Sequence, residues 1–281
     1  MHVKPDQLAA HLDRGVKPLY IVHGDEPLLA QEAGDAIRAA ARAAGYGERK
    51  VFTVGNAAHF DWGGFLGASQ ALSLFAERQL IELRIPNGKP GKEGSEALQR
   101  YCETLSDDVV TMVHLPKLDW QQIKSGWFTA LDGAGVMVKV EAVERRDLPA
   151  WIARRLALQG QRVAEGEAGQ RTLAFFADRV EGNLLAAHQE LQKLALLYPP
   201  PDGADAAPVV LSFDQVEAAV LNVARYDVFK LGEAVLAGQV GRALRMLEGL
   251  EAEGEAPVLV HWTLAEDIRA LDGKRLVEEI L

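Results

Sequence analysis

The stretch LYIVHGDEPLLAQEAGDAIRAAARAAG, residues 19–45, decides the fold. Its first six residues form an apolar run of the length of a buried strand. From Pro27 onward the apolar residues recur at helical spacing until Gly45 stops them. Strand, glycine turn, helix is the opening unit of an α/β sheet.

The alternation continues outward. RKVFTVG (49–55) reads as a second strand and DWGGFLGASQAL (61–72) as a helix. RQLIELRI (78–85) is a third strand, closed by the turn signal PNGKPG. Helical SEALQRYCETL, strand VVTMVHL (109–115), helical WQQIKSGWFTAL and strand VMVKVEA (136–142) complete the series. Five strands separated by helices predict a mostly parallel sheet covered on both faces. After EAVERRDLPA the character changes, and no further strand is expected. LPAWIARRLALQG, GQRTLAFFADRV, NLLAAHQELQKLALLY and SFDQVEAAVL all carry apolar residues at helical spacing, interrupted by the loop PPPDGADAAPVV (199–210). Another helical segment begins near NVARYDVFKL. The expected class is therefore α/β plus all-α: an α/β domain over 1–142, a small helical domain over 143–220 and a second helical domain over 221–281.

The chain has 281 residues, 48% hydrophobic and 25% charged, enough to bury a core without staples. A single cysteine, Cys102, excludes an internal disulfide and fits a reducing compartment. The N-terminal MHVKPDQLAAHLDRG is too charged for a signal peptide, and no apolar run approaches the roughly 18 residues of a membrane span. A soluble, cytoplasmic protein is expected. The net charge of -10 divides as -2 over residues 1–140 and -4 over each of 141–220 and 221–281. No segment has the basic excess of an autonomous DNA binder.

The turn after the first strand is where a phosphate-binding loop would sit. Such a loop needs glycines that turn backbone N–H groups toward phosphate, a Lys, and a Ser or Thr for magnesium. Here Gly24 is followed by Asp25, Glu26 and Pro27, which supply negative charge and remove a donor. The third strand ends LRIPN, without an acidic pair for a metal. GASQA (67–71) misses the G-x-S-x-G elbow at its last position and lies in helix, which weakens Ser69 as a nucleophile. The seven histidines show no metal-ligand spacing. His23 and His114, at strand ends, read as satisfied edge residues, Asp107 and Asp108 as turn residues, and Trp127 and Phe128 as core. No catalytic residue, cofactor site or metal site is expected.

SQALSLFAERQLIEL (69–83) leaves two readings open. Leu72, Leu74 and Phe75 either pack under the sheet or form an exposed anchor for a partner. Two large apolar side chains moved into a partner's pocket would contribute about 3–6 kcal/mol, the scale of an interface hot spot.

YIVHGDEPLLAQEAGDAIR, QALSLFAERQLIELR, WFTAL, EGNLLAAHQELQKLALLYP and GRALRMLEGLEAEGEAPVLVHWTL, in that order, resemble the delta subunit family of the bacterial DNA polymerase III clamp loader. The resemblance runs over nearly the whole chain. It implies an AAA+-like (RecA-like) module with a degenerate phosphate loop at Gly24, Asp25, Glu26 and Pro27, a helical lid, and a helical collar. It implies no ATPase activity, and a hydrophobic plug for the sliding clamp (the beta subunit) matched by Gln70, Leu72, Ser73, Leu74 and Phe75, with Leu74 and Phe75 as anchors. The implied partners are the gamma/tau and delta-prime subunits, with primer-template DNA reached only in the assembled complex. By membership of that holoenzyme the chain would be grouped with DNA-directed DNA polymerases. Family members continue past the point matching KRLVEEIL, so the collar is expected to be incomplete. The alternatives are an α/β hydrolase using Ser69 and a clamp-binding adaptor outside the loader.

Overall fold

The computed structural model describes residues 1–70, 78–201, 207–220, 228–252 and 255–278. It divides into two units, Met1–Glu141 and Ala142–Leu281.

In the first unit the strands are β1 (His2–Val3), β2 (Leu19–Gly24), β3 (Tyr46–Thr53), β4 (Arg78–Arg84), β5 (Val109–Leu115) and β6 (Val136–Val140). The helices are α1 (Leu8–Leu12), α2 (Pro27–Ala43), α3 (Trp62–Gln70), α4 (Gly91–Glu103), α5 (Trp120–Ile123) and α6 (Gly126–Ala134). The sheet is parallel throughout, in the order β1-β6-β2-β5-β4-β3. The sheet thus has six strands where five were expected. The extra one, β1, is two residues long and pairs with Met137 and Val138 at the edge. The expected helix over 120–131 is two helices, because Ser125 adopts an extended backbone between them. Asp119 and Gln122 close a reciprocal capping box on the first.

A parallel sheet buries both faces, so its strands are apolar on both sides. One face packs α1 through Leu8 and Leu12, and α2 through Ala33, Ile37 and Ala41, in a core with Tyr20, Val22, Leu80 and Met112. The other packs α3, α4 and α6 through Phe65, Leu98, Trp127 and Leu131 against Ile21, Ile81, Leu83 and Val113. Trp127 and Phe128 are core, as expected. On that face Phe60, Trp62, Phe65 and Tyr101 meet edge to face at centroid separations of 4.6, 6.2 and 5.4 Å. That geometry suits ring quadrupoles.

A charged residue breaks the apolar rule. Glu82, in the middle of β4, is wholly buried. Its carboxylate accepts from Arg49 Nε at 2.7 Å, Arg38 at 3.2 Å and Arg84 at 3.0 Å. Burial pushes the carboxyl up, but the hydrogen bonds from Arg49 and Arg84 and the charge of Arg38 outweigh it and hold it at about 2.

The second unit contains α7 (Leu148–Leu158), α8 (Glu167–Val180), α9 (Leu184–Leu197), α10 (Phe213–Val220), α11 (Val228–Leu236), α12 (Val240–Ala252) and α13 (Pro257–Glu278). Contrary to expectation it also holds two strands, β7 (Gln161–Val163) and β8 (Val209–Leu211), paired in parallel. Each has only three residues, and Gln161 anchors the pair by donating to the carbonyls of Leu194 and Tyr198. Val228, Leu231, Ala234, Met246, Leu250 and Val260 form a separate small core among α11, α12 and α13. An ion network joins the end of α8 to α12: Glu181 pairs with both Arg145 and Arg242, and Asp178 with Arg145 and Arg245. No helix among the described residues is long and apolar enough to cross a membrane.

Removing the Glu82 charge leaves three guanidinium groups around a neutral amide. Glu82→Gln is expected to lower unfolding stability at pH 7 by about 1–3 kcal/mol, read from urea denaturation, since Arg49 and Arg84 keep contact with solvent. The pH profile carries a second signature. The folded carboxyl titrates at about 2 against an ordinary 4.5, so its contribution is full above pH 4.5 and is lost as pH falls toward 2. Urea midpoints should therefore decline over that window, and less steeply in Glu82→Gln.

Candidate functional site

The five residues matched to the plug fall between the end of α3 and β4 in the sequence. Gln70 is the last residue of α3, while Leu72, Ser73, Leu74 and Phe75 lie outside the described residues. What the structure defines is the frame on either side. Asp61 Oδ1 accepts from Gly64 N at 2.7 Å and fixes the start of α3, which buries Trp62, Phe65 and Ser69 toward the core. At its other end the Ala68 carbonyl accepts from Gln79 Nε2 at 2.8 Å, tying the last turn of α3 to the second residue of β4. Gln79 is itself buried. Arg78 lies over the Tyr46 ring and faces Asp108 at 3.7 Å. Seven residues, 71–77, thus run between two anchored points.

The turn at Gly24–Pro27 is built for structure. Gly24 has a positive φ of 147°, and a Cβ there would collide with the Val140 carbonyl. Only glycine lets β2 pass this close to β6. Asp25 N donates to that same carbonyl at 3.1 Å, and its carboxylate pairs with Lys117 at 2.7 Å. Glu26 caps α2 by accepting from Leu28 N at 3.2 Å, with Pro27 in the first turn. A helix N-terminus that could otherwise receive an anion therefore has a carboxylate on it.

The other sequence candidates are structural. Ser69 is buried in α3 and its Oγ donates to the Leu66 carbonyl at 2.7 Å, so it is no nucleophile poised in a cleft. Burial, then the neighbouring Glu103, pushes the Cys102 thiol up to about 11, far from a reactive thiolate. The Asp107 carbonyl accepts from the Tyr46 hydroxyl at 2.6 Å, and Asp108 N donates to Ser106 Oγ. His23 is buried edge-on to Phe128. His114, expected to be satisfied, has its buried Nε2 without a hydrogen bond, and burial holds it neutral down to about 4. No group of three His, Cys, Asp or Glu among the described residues could hold a metal. Sequence reasoning missed the Glu82 cluster. The available signal was a lone acidic residue inside the apolar run QLIELRI.

Residues 20–141 match the family model described as DNA polymerase III, delta subunit. The chain is 35% identical to DNA polymerase III subunit delta of Escherichia coli (strain K12) over 267 residues, which is 95% of this chain and 74% of that protein. It is 29% identical over 270 residues to DNA polymerase III subunit delta of Haemophilus influenzae, again 95% and 74% of the two chains. The DNA clamp loader delta protein of Bacillus subtilis superposes with a TM-score of 0.59 at 18% identity, over 99% of this chain and 80% of that one. The chain belongs to the family of DNA polymerase III delta subunits.

Proposed function

We propose that this chain is a non-catalytic clamp-loader subunit of DNA replication that binds the sliding clamp, and opens its ring, through a plug at residues 70–75. The observation that carries the reading is its likeness to the E. coli delta subunit over 95% of the chain. The local frame supports it. A segment containing Leu74 and Phe75 leaves α3 and enters β4 between two fixed points, so a partner gripping it pulls on rigid elements. An anchor presented this way loses little further conformational freedom outside the segment itself on binding.

The turn at Gly24–Pro27 supports the absence of ATP hydrolysis by this chain. A P-loop acts through backbone N–H groups, a Lys and a magnesium-binding hydroxyl. Here the helix start is capped by Glu26, Asp25 is paired with Lys117, and Pro27 has no N–H. ATP then acts from the gamma/tau neighbours, which expose or hide the plug. Residues 143–220 serve as the lid and 221–281 as the collar that seats the chain beside gamma/tau and delta-prime, in the cytoplasm.

Calorimetric titration into the sliding clamp tests the plug. Leu74→Ala/Phe75→Ala should bind at least about tenfold more weakly than the native chain, given about 1.5–3 kcal/mol for each buried apolar side chain. Circular dichroism should show the variant still folded. Equal binding by the two proteins would remove the plug from the function. Separately, the isolated chain with ATP and magnesium should release no phosphate above a buffer blank.

A further inference from the structure

The Glu82 cluster does more than satisfy a buried charge. Arg38 and Arg84 also line a cleft of about 410 Å³ at the C-terminal ends of β2, β4 and β5, on the α2 side of the sheet. The remaining wall is largely apolar, including Val22, Ile85 and Leu115. The topology marks this place independently. The connection leaving β2 carries α2 across one face of the sheet, while that leaving β5 leads to α6 on the other. Adjacent strands whose connections part to opposite faces open a crevice beyond their carboxyl ends, and ligands of open α/β sheets bind there.

We propose that this cleft takes a phosphate group, held between the guanidinium groups of Arg38 and Arg84. A buried carboxylate surrounded by arginines stabilises a fold less well than apolar residues of the same volume, so the cluster calls for another reason. Its geometry supplies one. Glu82 takes one hydrogen bond from each of Arg38, Arg49 and Arg84, leaving most of each five-donor fork uncommitted. Counting Asp35, which pairs with Arg38 at 2.6 Å, three guanidinium charges face two carboxylates. Gly34 makes room for this arrangement from the middle of α2. A Cβ there would lie 3.3 Å from both the Arg38 guanidinium and the His114 ring. A helix-interior glycine costs about 1 kcal/mol relative to alanine, and here it lets Arg38 fold back to the cleft.

Two guanidinium groups arriving from different elements, α2 and β4, suit a tetrahedral anion with several acceptor oxygens. A planar carboxylate is met best by one guanidinium in fork geometry. Glu82 acts as a positioning residue that holds both forks at the wall. The apolar remainder of the cleft takes the organic part of a phosphate ester. None of Gly24 to Pro27 lines it, so the site is distinct from the turn that replaces a phosphate loop.

The test is calorimetric titration of the full chain with sodium pyrophosphate at low ionic strength, alongside Arg84→Gln and Arg38→Gln. Arg84 is half exposed and its loss leaves Arg38 and Arg49 on Glu82, so that variant should melt near the native temperature. Saturable binding that weakens at least about tenfold in each variant is expected, since bidentate Arg–phosphate bonds are among the stronger ones. A single-stranded oligonucleotide with and without a 5′-phosphate separates the sources. Phosphate-dependent, Arg84-dependent binding assigns a nucleic-acid end, whereas binding of pyrophosphate alone assigns a free phosphate ester. Absence of saturable binding by both probes, or equal binding by native protein and both folded variants, overturns the proposal. Leu74→Ala/Phe75→Ala should bind pyrophosphate like the native chain, which keeps this result separate from the fate of the plug.

Discussion

A sheet whose strands all run parallel has no face that can meet water, and the first unit is organised around that constraint. Each strand must be followed by a helix that crosses back over the sheet, and these helices must divide between its two faces. Here α1 and α2 cover one face and α3, α4 and α6 the other. Among the buried polar side chains of the central strands β2, β4 and β5, Gln79, Glu82 and Thr111 are each hydrogen-bonded. An unmatched polar group at such a depth would cost more than one side chain's packing returns.

The same constraint shapes the β2–α2 turn. Gly24 is required by the approach of Val140, and the helix start must still be capped. Those demands concern the backbone and one carboxylate. They leave the sheet intact whether or not a phosphate is ever bound.

What could be read from sequence followed the range of the forces involved. β2 and β5 were legible to the residue because an unbroken apolar run is itself the signal of a strand buried on both faces. β1 was not, because two residues carry no periodicity and become a strand only by pairing with β6, more than 130 residues away. β7 and β8 failed for the same reason, being three residues each and stabilised mainly through Gln161. The Glu82 cluster was hidden because its partners Arg38 and Arg49 lie 44 and 33 positions from it in the chain. Residues 70–75 left two readings open until the family resemblance favoured one, and the structure describes the elements on either side of them.

The position of β4 in the sheet has a mechanical consequence. β4 lies between β3 and β5, paired with β3 from Arg78 to Arg84 and with β5 from Gln79 to Arg84. A load applied at Arg78 along the strand axis is borne in shear by two ladders at once, so the bonds resist together. At an edge strand pulled sideways they would open one after another. The Gln79–Ala68 bond adds a short cross-link that shares the load with α3. The last turn of α3 and the start of β4 are thus coupled directly to each other and, through two ladders, to the rest of the sheet.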